Sequence, residues 1–364
     1  MTEILHINGT FLPGTDSTDL WVTDGKLTFE RPPSTTRVSS LGKGLWVLPG
    51  LVDAHCHIGI APTGHVKNRK DQEEQAQQNL DSGALLLRDA GSPVDTRWMR
   101  ERTDLPRLIR AGRHIARTRR YIRDQAIEVE PDGLVAEIER QAGLSDGWVK
   151  IAADWIDRDR GDLAPTFPLE ALTEAVARAH ALGARVAVHA FGEEAAAEAI
   201  HAGVDSIEHA TGLTEDLLDA ARTGGTAIVP TLINIDQFHA IAKNADGKFP
   251  RYARHMRALF ASSRQRVRTA WEAGVSVYVG TDAGGTLPHG LIRSEIAALA
   301  GAGIPLTDVV AQASWSGREW LGVPGLGEGA PADLIVYDDD PRRDLAVLFA
   351  PRHTLLRGMS VKRQ

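Results

Sequence analysis

The stretch LPGLVDAHCHIGI, residues 48–60, places histidines at positions 55 and 57. Side chains alternate across an extended strand, so His55 and His57 leave the chain on the same side, and two imidazoles so placed can grip one metal ion. Cys56 lies between them and points the other way, as a small buried hydrophobe. It is the only cysteine, which rules out an internal disulfide and fits a reducing compartment. Further along, Lys150, His189, His209 and Asp282 fall in or at the ends of the segments GWVKIAA, RVAVHA, DSIEHA and VSVYVGTDA. Each alone has a bland explanation: a lysine snorkelling out of a core, a histidine satisfied by backbone, an aspartate capping the next helix. Six such residues, all but the first pair on separate strand-like segments, point to one convergent site.

Positioning them requires strands whose ends meet. Besides residues 48–57, strand-like runs read as 84–91, 107–115, 147–153, 185–190, 205–210, 226–232 and 275–283, which makes eight. Helical patterns lie between them. In residues 168–182, Leu169, Leu172, Val176 and Ala179 or His180 form a stripe, and Gly183 supplies the stop. Alternating strands and helices over residues 48–325 predict an α/β fold, a (β/α)8 TIM barrel, whose strand C-terminal ends form the site. Residues 1–47 read instead as short strands, with an Asp24-Gly25 hairpin signal and a Pro32-Pro33 break. Residues 326–364 show the same character in ADLIVYDDD and HTLLRGMSVKR. Neither segment holds a core alone, so together they are expected to form a small β-sandwich domain interrupted by the barrel.

The chain has 364 residues, 43% hydrophobic and 24% charged, with a formal net charge of -7. That balance offers no excess of positive charge for a phosphate backbone, so nucleic acid is not an expected partner. No apolar run approaches the roughly 20 residues that span a bilayer. The N-terminus lacks a basic region followed by an apolar one, so no membrane association is expected and a cytoplasmic location is. A small molecule is the expected partner, and a homo-oligomer is left open.

The order and context of PGLVDAHCH, VKIAA, VAVHAFG, SIEHA, GTDAG, the His289-Gly290 dipeptide and the closing GLGEGAPADLIVYDDDP resemble the amidohydrolase superfamily. The resemblance is to its binuclear, carboxylated-lysine branch, near the imidazolonepropionase-like and prolidase-like group. It implies that His55, His57 and Asp282 hold one divalent metal ion, that His189 and His209 hold a second, and that carboxylated Lys150 bridges them. Chemistry supports those residue types. A free lysine presents an ammonium that repels a cation, whereas reaction with carbon dioxide gives a carbamate whose two oxygens can bind metals about 3.5–4 Å apart. Imidazole and carboxylate ligands suit zinc first, with manganese, cobalt or iron served by the same ligand types. The implied activity is metal-dependent hydrolysis of a C–N amide bond, peptide-like or N-acyl, by a hydroxide between the metals, with Asp282 as proton shuttle.

His289, in the loop after the eighth strand, is assigned a catalytic or supporting role. Ten arginines crowd residues 97–123, and Arg119, Arg120 and Arg123, with Tyr121 among them, read either as a solvated face partly neutralised by nearby acids or as a clamp for an anionic substrate group. Phe191 stands where the resembling enzymes often carry a second histidine, and Trp155 adds a bulky ring after Lys150; both are candidate pocket walls. The loop after the seventh strand, with Asn234 and Asp236, shows no spacing that favours it over a plain surface loop. Among alternatives, a lactonase or phosphotriesterase-type hydrolase would use a similar cage. A deaminase is disfavoured, because it would carry an acid/base glutamate shortly after His189 and lack the bridging lysine. A non-catalytic barrel scaffold would be expected to have lost ligands, and this chain keeps the full set.

Overall fold

The computed structural model describes residues 4–33 and 37–362, so residues 1–3, 34–36, 363 and 364 of the two terminal spans lie outside it. The terminal segments form one seven-stranded sheet, in the order Met359–Ser360, His353–Leu356, Leu334–Tyr337, Val38–Pro49, Ile4–Phe11, Asp19–Thr23, Lys26–Thr28. Its one parallel pairing joins Ile4–Phe11 to Val38–Pro49. The Asp24-Gly25 turn forms as its sequence demands, with both residues at positive φ (51° and 74°). Ile7, Phe11, Leu20, Val22, Val47 and Val336 share a core on one face of this sheet. The edge strand then folds back: Leu27 N donates to Ala330 O and Gly329 N to Leu27 O, both at 2.8 Å. The two stacked sheets of the expected sandwich are therefore replaced, among the described residues, by a single sheet curled over its own core, which its twist permits and which leaves fewer open edges.

The central segment carries two parallel sheets. One runs Leu51–Cys56, Ala84–Asp89, Arg107–Arg110. The other runs Ala126–Val129, His114–Arg117, Trp148–Ala152, Arg185–Ala190, Ser206–His209, Ala227–Val229. Strands such as LVDAHC and ALLLRD are buried at every position, as expected where both faces are covered. The single run read over 107–115 is split between the two sheets by a break at 111–113, where Gly112 takes φ 72°. Residues 275–283 form no continuous strand, yet they bridge the outer strands of both sheets. Ile228 N donates to Ser276 O at 2.8 Å on one side, and Ala54 N to Val279 O at 2.8 Å and His57 N to Ala283 O at 2.8 Å on the other.

Helices cover these strands. In Leu169–Ala181, Leu172, Ala175, Val176 and Ala179 are buried, while Leu169 is half-buried and His180 turns to solvent and meets Asp205 at 2.7 Å. Gly183 ends that helix at φ 75°. Among the described residues no helix is long and apolar enough to cross a membrane. The longest, Pro250–Glu272, is tied down by His255, whose Nδ1 lies 2.8 Å from Asp162 and whose Nε2 lies 2.9 Å from Glu193.

Two expectations follow from this packing. Gly280 lies so close to its neighbours that a Cβ would stand 2.6 Å from Val229 and 2.7 Å from His55. Gly280→Ala should cost about 1–3 kcal/mol through overpacking, read as a lower urea midpoint at unchanged slope. His255 is raised to about 9, first by its hydrogen bond to Glu193 and then, against burial, by Asp162. Its stabilising contribution is therefore complete below its ordinary value near 6.5 and lost as pH rises towards 9. The stability gap between wild type and His255→Gln should shrink over that window, which denaturant titrations at pH 6 and pH 9.5 would show.

Candidate metal centre and active-site cavity

His55 lies near the end of the strand Leu51–Cys56 and His57 just beyond it, and each ring is fixed through its Nδ1. His57 Nδ1 lies 2.7 Å from Gly91 O, and His55 Nδ1 lies 2.6 Å from Glu208 Oε2. Acceptors at those positions put the ring proton on Nδ1 and leave the Nε2 lone pairs facing inward. The two Nε2 atoms are 3.1 Å apart, and Asp282 Oδ1 lies 3.0 Å from one and 3.2 Å from the other. Three electron-pair donors thus aim at a common point. His209 approaches the same point. His55, His209 and Asp282 offer atoms within 4.8 Å of one another, and His209 Nδ1 is held 2.8 Å from Thr231 Oγ1.

Strand pairing brings in the remaining residues. Ala152 pairs with His189, and Ala190 with His209, so the ends of neighbouring strands meet at one rim. Lys150 and His189 are fully buried, and neither Lys150 Nζ nor His189 Nε2 has a hydrogen-bond partner. Burial lowers Lys150 to about 8. The ring of His189 lies 4.8 Å from that of His209, and its Nε2 is 3.5 Å from Asp154 Oδ1. Burial also pushes His189 well below its usual value and His209 to about 3, so both rings are neutral bases. Asp282 behaves oppositely: despite burial, His55, His57 and His209 hold it well below the usual carboxylate range. Burial opposes a charge on His57, yet the Asp282 carboxylate raises it, so the cluster attracts positive charge.

These positions need unusual backbone. His209, Thr231 and Asp282 take φ of 70°, 49° and 57°, each a strained conformation costing on the order of 1–3 kcal/mol. Asp282 is held there by its own N–H, which donates to His55 O at 2.7 Å, and by Thr281, whose hydroxyl donates to Asp53 at 2.6 Å. Asn234 Nδ2 donates to Asp282 Oδ2 at 2.7 Å. Beneath the histidines, Arg88 and Glu208 form a fully buried pair at 2.7 Å, with the Arg88 guanidinium 4.4 Å from the Trp148 ring centroid.

All six residues singled out for metal chemistry, His55, His57, Lys150, His189, His209 and Asp282, line one cavity of about 400 Å³. Tyr121, Trp155 and Phe191 line it too. The arginines read as a clamp do not. Arg119 and Arg123 are exposed, and Arg120 turns its guanidinium away to Asp157, the Trp155 carbonyl and the Ala164 carbonyl. Both terminal nitrogens of Arg120 are thus taken by the antiparallel hairpin Asp154–Asp157 and Asp162–Pro165, which points them away from the cavity. His289 also lies outside the cavity lining, beside Asn79 at 3.1 Å, where burial lowers it to about 3. Sequence reasoning passed over His114, which lines the cavity with its ring 5.0 Å from that of His57, and Asn234, whose contact with Asp282 no spacing reveals. Glu208 was equally missed, although the adjacency of an acid and a histidine in SIEHA was a visible signal.

The model of the amidohydrolase family matches residues 46–361, and the chain belongs to that family. An uncharacterized protein of Mycobacterium tuberculosis is 48% identical over 355 residues, 97% of this chain and 95% of that protein. Ochratoxinase of Aspergillus niger is 28% identical over 190 residues, 50% of this chain and 38% of its own length. The crystal structure of the A. niger ochratoxinase superposes with a TM-score of 0.80 at 19% identity, covering 99% of this chain and 95% of that one. That of a Xaa-Pro dipeptidase with bound methionine gives 0.80 at 23% identity, covering all of both chains.

Glu208 should prove indispensable to this arrangement. Glu208→Gln leaves Arg88 buried without a counter-charge, so a loss of about 3–5 kcal/mol is expected in denaturant unfolding. It also loosens His55, so affinity for a divalent ion should fall roughly 10–100-fold by competition with a chelator.

Proposed function

We propose that the chain is a metal-dependent hydrolase that cleaves a C–N amide bond of a small molecule in this cavity, with the central strands read as a (β/α)8 barrel and the terminal segments as a second domain. The observation that carries the reading is the convergence of the His55 and His57 Nε2 lone pairs on an ionised Asp282. Three bases aimed at one point repel one another unless a cation lies among them. His55, His57 and Asp282 would hold one divalent ion, and His189 and His209 a second, with zinc the first choice for this donor set.

Lys150 fits a bridging role. Its amine is buried without a partner, and its lowered pKa puts the neutral, nucleophilic form within reach near neutral pH. Addition of that amine to carbon dioxide, with release of one proton, gives the carbamate oxygens two ions require. Bound divalent ions at such a site supply Lewis acidity towards a carbonyl oxygen and lower the pKa of water.

The chain's own groups do the rest. Asp282 stays ionised and takes a proton from the attacking water at Oδ2, the oxygen that Asn234 orients. It then returns that proton to the departing nitrogen, which must leave as a neutral amine. Glu208 and the Gly91 carbonyl keep both imidazoles in the tautomer that leaves Nε2 unprotonated. Tyr121 is pushed up by burial, so its phenol remains a neutral donor in the cavity wall. The Aspergillus relative is named for its action on ochratoxin, and a structural neighbour for its action on Xaa-Pro dipeptides, whose peptide bond is an amide.

Metal analysis of the purified protein should find close to two ions per chain, and chelation should abolish turnover of an amide panel that added metal restores. Asp282→Asn should retain most of the metal while losing at least about 10²-fold in kcat. Near-normal kcat in that variant would remove Asp282 as proton carrier, and a preference for lactones or aryl phosphate esters would replace the amidase reading.

A further inference from the structure

The upper cavity differs from the floor. Among the described residues no arginine lines it, and its one lysine, Lys150, sits at the floor, 1% exposed. The guanidinium of Arg120, the arginine next to Tyr121, is turned to Asp157 and to the carbonyls of Trp155, Ala164 and Pro165. What faces the space instead is a run of rings. Tyr121 and Trp155 have centroids 4.8 Å apart, Trp155 and His189 5.8 Å, His189 and Phe191 4.3 Å, and Phe191 rests on Phe238 at 4.7 Å. Away from the floor, polarity comes from neutral groups, the carboxamides and the Tyr121 and Thr286 hydroxyls. Asn234, Gln237 and Asn244, with Ile241 between them, recur at helical spacing along the short helices Leu232–Ile235 and Phe238–Ala245 and line the mouth on one side.

We propose that this site takes an uncharged aromatic amide, of the aryl or aralkyl amide class, and discriminates against molecules that bring a free carboxylate alongside the scissile bond. The assignment of a substrate rests on the hydrolase reading above, but the preference for neutral ligands rests on the walls alone. A carboxylate held against these walls gives up hydration and meets no guanidinium there to replace it. A flat ring meets a surface built for stacking and edge contacts. A neutral amide finds donors and acceptors in the carboxamides without needing a counter-charge. The cavity, about 400 Å³, is at the small end of the range for compact ligands, so little room remains for water to shield an unpaired charge.

The test uses isosteric pairs that share one scissile bond: 4-acetamidobenzamide against 4-acetamidobenzoate, and N-benzoylphenylalaninamide against N-benzoylphenylalanine. With metal-loaded protein, the neutral member should have at least tenfold higher kcat/KM, carried chiefly by KM. Calorimetric titration of chelator-treated protein should show the same order of Kd, free of turnover and of carboxylate capture by a metal. Gln237→Arg, or Asn244→Arg should the first variant fold poorly, should reverse or erase the preference by placing a guanidinium in the mouth. Equal or tighter binding of the carboxylates by the wild-type protein, or no binding of the neutral members, would overturn the inference. Neutral ligands that bind preferentially but are never cleaved would instead sink the hydrolase reading and leave the ligand preference standing.

Discussion

The structure depends on the two acceptors that clamp the outer nitrogens of His55 and His57. The Gly91 carbonyl accepts from His57 Nδ1 and the Glu208 carboxylate stands 2.6 Å from His55 Nδ1, so both Nε2 atoms face inward against Asp282. A histidine free to rotate or change tautomer would relieve that crowding. These cannot, because their partners are themselves fixed: Glu208 by Arg88 and Ser206, Gly91 by its N–H to Asp89. The cluster is built in advance to receive positive charge, and the chain carries the cost of doing so in its fold.

That cost is visible in the surroundings. A charged pair fully out of water is weak evidence for stability, and its worth here lies in orientation. Arg88 is held from three sides, by Glu208, by the Ala54 carbonyl at 2.6 Å and by the faces of Trp148 and Trp320, so Glu208 has one place to stand. His209, Thr231 and Asp282 add left-handed backbone conformations that ordinary side chains avoid, concentrated where strands end and the site begins. Strain of this kind persists only when neighbouring contacts over-determine it. The hydrogen bonds between residues 281–283 and Asp53, His55 and His57 are such contacts, and they tie residues 275–283 to one of the two central sheets.

The cavity above the cluster separates two requirements. Its floor gathers ionisable groups whose properties are set by burial and by one another. Its walls are rings and carboxamides with no permanent charge of their own. Under the proposed function, such a division would let a strongly polar centre react while recognition proceeds by shape, stacking and neutral hydrogen bonds.

Much of this was written in the linear chain. Spacing placed His55 and His57 on one side of a strand, and the apolar runs ending in Lys150, His189, His209 and Asp282 required strand ends that meet, because parallel strands with covered faces have only one rim to offer. The Asp24-Gly25 turn and the stripe of the helix Leu169–Ala181 were equally legible, since both are local consequences of residue type. What the chain could not disclose were choices made between distant segments. Arg120 reads as a ligand for an anion in the sequence, yet its terminal nitrogens go to Asp157 and backbone carbonyls, and His289 lies beside Asn79 rather than among the residues lining the cavity. Asn234 and His114 had no spacing to announce them, and the expected sandwich gave way to a rolled sheet when Leu27 met Ala330. Periodicity reports which face a residue occupies. Only the packed molecule decides which partner waits there, because the geometry and energy of a buried hydrogen bond or ion pair exist only when both partners are in place.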